Sequence, residues 1–284
     1  MFCTLLAYSS LLFYYITVPS VEMREEPDSH SAVDSQAYFS ERIIPLEDKG
    51  DWVKIKTTVD NYEGWAKKNT FCERSDAYLA NPSTTVAKVN RCAAHLYSEE
   101  DTERGPILTL PFESLLAVVE EIQTSNKRWI KVSLPDGKEG YIQRGDVTLN
   151  PTFINRDQMC QLSSFFLNLP YTWAGRSSFG YDCSGYTQML YRQMGIFIPR
   201  NSKNQINWSG FTNVALENLQ PGDLIFFGAN ENKISHVGMS LGNGQFIHTT
   251  VADNMPYTRI SQLTEPTWNG SGRFAYRAGR TLKN

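Results

Sequence analysis

The sequence lacks an excess of charge of either sign, which limits the classes of partner it can have. Its 27 lysines and arginines nearly balance 30 aspartates and glutamates, for a formal net charge of −3 over 284 residues. Proteins that bind nucleic acid or anionic membrane surfaces usually carry a basic excess. We therefore expect no nucleic-acid partner and no stable membrane insertion. Hydrophobic residues make up 41% of the chain, which is enough for a folded core.

Paired cysteine motifs are also missing. The five cysteines are Cys3, Cys72, Cys92, Cys160 and Cys183, and no two of them form a Cys-x-x-Cys pair. This spacing argues against a thiolate zinc knot, and a disulfide framework is unusual in a chain of this size. We expect the first four to be buried, inert thiols.

The N-terminal stretch from Met1 to Val18 is largely apolar, but no Lys or Arg precedes it and no Ala-x-Ala site follows. It is therefore a poor signal peptide. At about 17 residues it lies at the lower limit for a membrane span. We favour a β-strand at Tyr14 to Val18. The poor signal and the odd thiol count favour the cytoplasm, with the cell envelope as the alternative.

The first half contains a degenerate repeat. Trp52-Val53-Lys54-Ile55 precedes Glu63-Gly64-Trp65-Ala66, and Trp129-Ile130-Lys131-Val132 precedes Glu139-Gly140-Tyr141-Ile142. Alternating apolar and polar residues predict half-buried strands, and turn residues separate the two runs in each copy. The repeat predicts two small β-barrels in tandem, at residues 1–80 and 81–150.

The second half, residues 151–284, has the pattern of an α+β domain. Apolar spacing predicts a helix from Arg156 to Asn168, ended by Pro170, and a second from Asp182 to Met194, capped by Gly195. Strands are predicted at 224–227, 237–241 and 245–250. Helices followed by antiparallel strands are typical of the α+β class.

Cys183 lies at the predicted start of the second helix. Asp182 before it is a favourable N-cap residue. Free backbone N–H groups and the positive end of the helix dipole stabilise an anion at this position. We therefore expect a thiol pKa lowered toward neutrality and a thiolate nucleophile. The same N–H groups suit an oxyanion hole.

Two of only four histidines, His236 and His248, lie in the predicted hairpin. A two-residue turn alone at Asn243-Gly244 would pair residue 239 with 248 and place the imidazoles on opposite faces. A three-residue loop, or an equivalent bulge, pairs 238 with 248 and places them on one face. We predict the second register, with His236 as the base and His248 as its orienting partner.

These residues belong to an ordered set of motifs: Tyr171 to Gly175, Asp182 to Gly185, Pro199-Arg200, Pro221 to Leu224 and His236 to Gly238. The set resembles the NlpC-type cysteine peptidases over about residues 155 to 277, and the repeat resembles bacterial Src-homology-3-type modules. The resemblance implies a reduced papain-like fold. The domain order is similar to that of the family's γ-D-glutamyl-L-diamino-acid endopeptidases, which cut murein stem peptides between D-Glu and the diamino acid.

The resemblance also implies site residues. Cys183, His236 and His248 match the catalytic positions, and the Tyr171 hydroxyl matches a group that steadies the oxyanion. Asp182 and Ser184 match substrate-holding positions, and Trp173 lines the cleft. In the first barrel, Glu26 and Tyr62 are expected to bind the free amine of a terminal L-Ala. Ala174 stands where the family often has Gly, a change expected to be harmless.

The implied partner is peptidoglycan or free murein peptide containing diaminopimelate, and the expected state is a monomer without cofactor or metal. Three alternatives are open: an amidase or acyltransferase of the same fold, an inert wall-binding protein, or a zinc site made from Cys183, His236 and His248. Three individual roles are also open. Asp182 either binds substrate or only caps its helix, Arg200 either binds a substrate carboxylate or anchors a loop, and Tyr171 either serves the site or belongs to the core.

Overall fold

The computed structural model of the chain describes residues 12–119, 128–270 and 274–283. Within these residues the chain is mostly β-sheet, with three large sheets and a few short helices. Of the apolar N-terminal stretch, residues 1–11, including Cys3, lie outside the described ranges, and the rest contains the predicted strand. No helix in the described ranges is long and apolar enough to cross a membrane.

The first sheet is formed by the N-terminal strands. They are β1 (Phe13–Ile16), β2 (Ser20–Arg24), β3 (Val33–Tyr38), β4 (Arg42–Lys49), β5 (Trp52–Thr57), β6 (Glu63–Lys67) and β7 (Phe71–Arg74). Their order is β3-β2-β6-β5-β4-β1-β7. The predicted hairpin is β5–β6, and its alternation is confirmed because Val53 and Ile55 are buried in the core of this sheet.

The second sheet repeats this topology. Its described strands are β8 (Val86–Val89), β9 (Ala93–Tyr97), β10 (Leu108–Pro111), β11 (Leu115–Val118), β12 (Trp129–Ser133), β13 (Glu139–Gln143) and β14 (Val147–Leu149). Their order, β10-β9-β13-β12-β11-β8-β14, is the first order shifted by one repeat. The repeated glycine has a packing reason. A Cβ at Gly64 would lie 2.9 Å from Cβ of Met23, and one at Gly140 would lie 3.0 Å from Cγ of Leu96. The Glu-Gly-aromatic motif therefore marks where one strand crosses close over its neighbour.

The third part contains the helices and the remaining strands. The helices are α1 (Arg156–Ser163), α2 (Cys183–Gln193), α3 (Ser202–Gln205) and α4 (Pro266–Asn269). The strands are β15 (Arg176–Ser177), β16 (Gly180–Tyr181), β17 (Phe211–Val214), β18 (Leu224–Asn230), β19 (Lys233–Gly242), β20 (Gln245–Thr250), β21 (Tyr257–Gln262) and β22 (Tyr276–Leu282). In the described residues, the large sheet has the order β17-β22-β18-β19-β20-β21. Short 3-10 turns occur at 68–70, 144–146, 164–166, 216–218 and 252–254.

The two predicted helices are present, one of them shortened. Asn155 and Gln158 form a capping box at the start of α1, but the helix ends at Ser163 and continues only as a 3-10 turn. Phe165 is consequently exposed, whereas Phe166 is buried against α2. The prediction for α2 is confirmed, with Gly195 in the left-handed region at φ 77°.

Buried charges join the first sheet to the third part. Arg176 is 1% exposed and donates to both carboxylate oxygens of Glu41, with Asp60 3.5 Å away. The Trp173 indole N–H donates to the Val33 carbonyl at 3.0 Å. Removing one partner of a buried ion pair leaves an uncompensated charge. The first sheet is therefore held firmly against the residues that precede α2.

Candidate active site

The start of α2 fixes Cys183. Asp182 is the N-cap, and its Oδ1 accepts the Gly185 N–H at 2.7 Å. A Cβ at Gly185 would lie 2.2 Å from the Gly175 carbonyl oxygen. Only glycine therefore allows the first turn of the helix to pack so closely against the preceding loop. The predicted helix start and its cap are confirmed.

Arg200 secures the same helix start from the other side. It is 2% exposed, and its guanidinium donates to both carboxylate oxygens of Asp182, at 3.0 and 2.6 Å. It also donates to Ser184 Oγ at 3.0 Å and to Ser35 Oγ in the first sheet at 3.1 Å. Both oxygens of Asp182 are thus occupied within the protein. These contacts favour the anchoring role for Arg200 and the capping role for Asp182.

The β19–β20 hairpin has the predicted register. Met239 pairs with Ile247 and Ser240 with Phe246, so Gly238 lies opposite His248. The turn is the two-residue Asn243-Gly244, with both residues at positive φ. A bulge at Leu241 then shifts the pairing by one residue. Of the two predicted alternatives, the three-residue loop is therefore not formed, and the equivalent bulge produces the register.

This register brings the two imidazoles together. His236 Nε2 lies 2.8 Å from His248 Nδ1, and His248 Nε2 lies 3.2 Å from Ser261 Oγ. If each histidine donates from Nε2, the chain of hydrogen bonds is complete and leaves His236 Nδ1 unprotonated. That nitrogen is then the proton acceptor next to the cleft that contains Cys183. The facing ring nitrogens bond to each other instead of converging on an ion. No group of three or more potential metal ligands was found in the described part of the chain.

Aromatic rings surround the histidine pair. The fully buried Trp268 stacks on His236 with centroids 5.4 Å apart and an interplanar angle of 27°, and meets His248 edge-on at 4.8 Å. Phe227 packs on His236 at 5.6 Å. Trp268 and Ser261 could not be predicted from the sequence, because neither forms a local pattern with the histidines. Only the folding of α4 and β21 back onto the hairpin brings them there.

Burial determines the protonation of the site. Desolvation raises the pKa of Cys183 to about 12, and the Asp182 carboxylate adds to this effect. The N–H groups of Val237 and Ser184 and the charge of Arg200 lower it less. The expected lowering toward neutrality is therefore wrong, since desolvation outweighs the helix start. Burial also lowers the pKa of His236 to about 3 and that of His248 well below its usual value. A neutral thiol beside neutral imidazoles is thus the state favoured without substrate.

A cleft of about 450 Å³ opens over Cys183 and His236. Its wall includes Tyr171, Asp182, Ser184 and Trp173, the last 71% exposed. The other residues that line it are Asp34, Ala174, Asn201, Ser202, Lys203, Ile234, Ser235, Thr250, Val251 and Phe274. Tyr171 is partly buried and lines this cleft, which favours its role at the site.

The first sheet contributes to one end of the cleft, but not through Glu26. That residue is exposed in the turn between β2 and β3, where its N–H bonds Ser31 Oγ, and it does not line the cleft. The carboxylate that the first sheet contributes to the cleft is that of Asp34, which accepts the Tyr62 hydroxyl at 3.2 Å. Asn201 donates to the same hydroxyl at 3.4 Å. Glu26 thus lies outside the cleft, whereas Tyr62 is hydrogen-bonded to a carboxylate that lines it, and the amine-binding role expected of Tyr62 stays a prediction.

Comparisons with known proteins agree with this geometry. Residues 168–273 match the NlpC/P60 family, and residues 23–70 match the bacterial dipeptidyl-peptidase Sh3 domain. The chain is 31% identical over 236 residues to a Bacillus cereus protein named gamma-D-glutamyl-L-lysine dipeptidyl-peptidase, covering 78% of this chain and 68% of the relative. A Bacillus subtilis protein of the same name is 28% identical, over 77% of this chain and 73% of the relative. The crystal structure of an NlpC/P60 family protein from Bacillus cereus superposes with a TM-score of 0.81 at 25% identity, over 95% of this chain and 99% of that one.

A thiol at a helix start and a bonded pair of imidazoles, in one cleft, are the chemistry of a cysteine peptidase, a hydrolase that acts through a thiol. The chain belongs to the NlpC/P60 family.

Proposed function

We propose that the enzyme hydrolyses the amide bond between γ-D-glutamate and the diamino acid of murein stem peptides that carry a free N-terminal L-Ala. One observation supports this most directly. Asp34 from the first sheet lines the cleft that contains Cys183, and the Tyr62 hydroxyl donates to its carboxylate. A carboxylate beside a phenol is suitable chemistry for an ammonium group. The relatives named gamma-D-glutamyl-L-lysine dipeptidyl-peptidase support the same bond.

In this proposal Asp34 takes the amine-binding role that the sequence analysis gave to Glu26, together with Tyr62. Hydrogen bonds from Trp173 to Val33 and from Arg200 to Ser35 hold the first sheet beside the cleft, and we propose that the sheet closes one end of it. A closed end limits the number of residues that fit before the scissile bond. The enzyme would therefore release a dipeptide, L-Ala-γ-D-Glu, from the amino end.

The reaction proceeds through an acyl-enzyme. His236 Nδ1 accepts the thiol proton of Cys183 as the sulfur attacks the γ-carbonyl carbon, and the carbonyl electrons form an oxyanion. Backbone N–H groups at the start of α2 and the Tyr171 hydroxyl stabilise that oxyanion. The oxyanion collapses, the C–N bond breaks, and His236 gives its proton to the leaving amine. His236 then takes a proton from water, whose oxygen attacks the thioester carbon; the C–S bond breaks, the peptide leaves as the carboxylic acid, and the thiol re-forms with that proton.

Because the pKa of Cys183 is raised and that of His236 lowered, the proton transfer is unfavourable in the empty site. It becomes favourable only as negative charge moves from sulfur to the carbonyl oxygen. His248 holds His236 in the tautomer that has an unprotonated Nδ1, with Ser261 as the next partner. Asp182 and Ser184 position the helix start. No cofactor enters the scheme.

Three structural proposals accompany this function. The two repeated sheets are Src-homology-3-type barrels, with boundaries near residues 80 and 150. The third part is the reduced papain-like domain. The enzyme works as a monomer, which size-exclusion chromatography with light scattering tests.

Mass spectrometry of L-Ala-γ-D-Glu-L-Lys and of its diaminopimelate analogue after incubation tests the reaction. Wild-type enzyme should release the free diamino acid from at least one peptide, and Cys183→Ala should release none. Cleavage by Cys183→Ala, or no cleavage by wild type, would contradict the proposal.

The role of Asp34 is tested separately with the N-acetylated peptide. Wild type should strongly prefer the free amine, and Asp34→Asn should reduce that preference by raising KM for the free amine alone. Glu26→Gln is the matched control, because it removes an exposed carboxylate outside the cleft. Equal effects of the two substitutions would refute the assignment to Asp34.

A further inference from the structure

The charges that line the cleft are unevenly matched. Its charged side chains in the described residues are Asp34, Asp182 and Lys203, alongside the histidine His236. Asp182 is neutralised by Arg200, to which both its oxygens are bonded. Asp34 is assigned to the substrate ammonium group. Lys203 is thus a cation without an assigned partner in a site that handles a zwitterionic peptide.

Lys203 lies on the segment 201–205, which is held by hydrogen bonds near both of its ends. Gln205, which is fully buried, donates to the Ser184 carbonyl at 3.0 Å, and Thr187 donates to Gln205 Oε1 at 3.1 Å. On the other side, Asn201 bonds the Tyr62 hydroxyl. The backbone of residues 201–205 therefore connects the amine-binding end of the cleft to the start of the helix that carries Cys183. Lys203 is exposed to solvent on this segment and reaches the cleft.

The proposed substrate has a charge at the corresponding place. In a γ-linked D-glutamyl residue the side-chain carboxyl forms the scissile amide, so the α-carboxylate is free. This carboxylate branches from the stretch between the L-Ala residue and the scissile carbonyl. Residues 201–203 line the same cleft as Asp34 and Cys183, so a peptide with its ammonium group at Asp34 and its carbonyl at Cys183 has them within its binding site. Arg200 does not serve this carboxylate, because it is buried, fully engaged and absent from the lining of the cleft.

We propose that Lys203 is a specificity-determining residue that pairs with the α-carboxylate of the γ-D-glutamyl residue, an inference that rests on the proposed function. It follows that the enzyme prefers peptides with a free α-carboxylate to those in which this group is an amide. An ion pair with an exposed lysine contributes modestly, so the preference should be about fivefold in kcat/KM. It should shrink in about 0.5 M salt, because salt screens exposed charges.

The test compares L-Ala-γ-D-Glu-L-Lys with the same peptide carrying an α-carboxamide. Lys203→Met should lower kcat/KM about fivefold for the acid and leave the amide unchanged, so that the preference disappears. Lys203→Arg should retain the preference. Lys49→Met, which removes an exposed lysine of β4 that does not line the cleft, is the matched control and should behave as wild type.

Each outcome is decisive for one of the two proposals. Equal losses on both peptides in Lys203→Met, or a wild type that cleaves both equally well, would overturn the role of Lys203 and leave the proposed reaction intact. A wild type that cleaves neither peptide would overturn the proposed function and this inference with it. Thermal melting of the variants checks that the fold is unchanged.

Discussion

Replacing His248 tests how the histidine pair works, because the structure specifies which of its atoms matters. His236 Nε2 bonds to Nδ1 of His248, not to Nε2. His248→Phe keeps a planar ring but removes the acceptor. His248→Asn places Oδ1 close to the position of the lost Nδ1, whereas His248→Gln places its oxygen one bond farther out. The three variants therefore remove the acceptor, replace it in position, or misplace it.

The expected loss follows from the charge that His236 acquires. When it takes the thiol proton, its Nε2–H donates a charge-assisted hydrogen bond, and such bonds contribute about 1.5–3 kcal/mol. At about 1.4 kcal/mol per factor of ten, His248→Phe should lower kcat/KM by about 10- to 150-fold. Without the acceptor, His236 can also adopt the tautomer with a proton on Nδ1, which cannot accept the thiol proton. His248→Asn should recover most of the loss.

Steady-state kinetics on L-Ala-γ-D-Glu-L-Lys provides the measurement, with thermal unfolding of each variant as the check on folding. The order of activity should be wild type, Asn, Gln, Phe. If His248→Phe keeps more than half of the wild-type kcat/KM, or if Gln is as active as Asn, then the 2.8 Å contact does not orient the base and the mechanism given above is wrong.

Three further predictions concern stability. Burial lowers the pKa of His236 from 6.5 to about 3, so as the pH falls the unfolded chain binds a proton at this residue before the folded chain does. The stability that the neutral imidazole contributes is complete above pH 6.5, and the free energy of unfolding should fall by about 2 kcal/mol by pH 5. Urea titrations measure this fall, which should be less steep in a His236→Phe variant. Ala174 has φ 61°, a left-handed conformation that costs a non-glycine residue about 1 kcal/mol, so Ala174→Gly should raise the free energy of unfolding by up to about 1 kcal/mol, and a decrease would show that the strain is absent. Arg176→Met should lower the free energy of unfolding by about 3–5 kcal/mol, because it leaves the buried Glu41 carboxylate unpaired. Adding Glu41→Gln should restore part of the loss, and no recovery in the double variant would refute the charge explanation.

The features that could be predicted from the sequence depend on adjacent residues or on the number of residues between two positions. Asp182 before Cys183 is a local cap, and the parity of the 236–248 hairpin decides which faces the imidazoles share. The sequence left open the choice between a three-residue loop and an equivalent bulge, because both give the same parity, and the structure has the bulge, at Leu241. The monomeric state and the cytoplasmic location stay predictions.

The errors concern quantities that only the tertiary structure determines. The sign of the Cys183 pKa shift depends on how much water the fold removes, and desolvation outweighs the helix start. Glu26 was a match taken from the family resemblance, and only the docking of the first sheet decides that Asp34 lines the cleft and Glu26 does not. The expectation that Ala174 does not harm activity stays a prediction, and its left-handed backbone conformation, which no spacing reveals, bears on stability instead.

The two repeats show how one local pattern takes on two roles. Asp60 and Asp136 occupy the corresponding turn, each shortly before the Glu-Gly-aromatic motif. Asp136 remains on the surface with Lys138 as its partner, whereas Asp60 is buried beside Arg176. Burial alone would raise the pKa of Asp60, but Arg176 and hydrogen bonds lower it to about 2, so it remains charged. The same turn residue is thus a surface feature in one copy and a docking contact in the other, and the arginine that makes the difference lies in the peptidase part. Because Tyr62 follows this docked turn, the contact that fixes the first sheet also sets the position of the phenol assigned to the substrate amine.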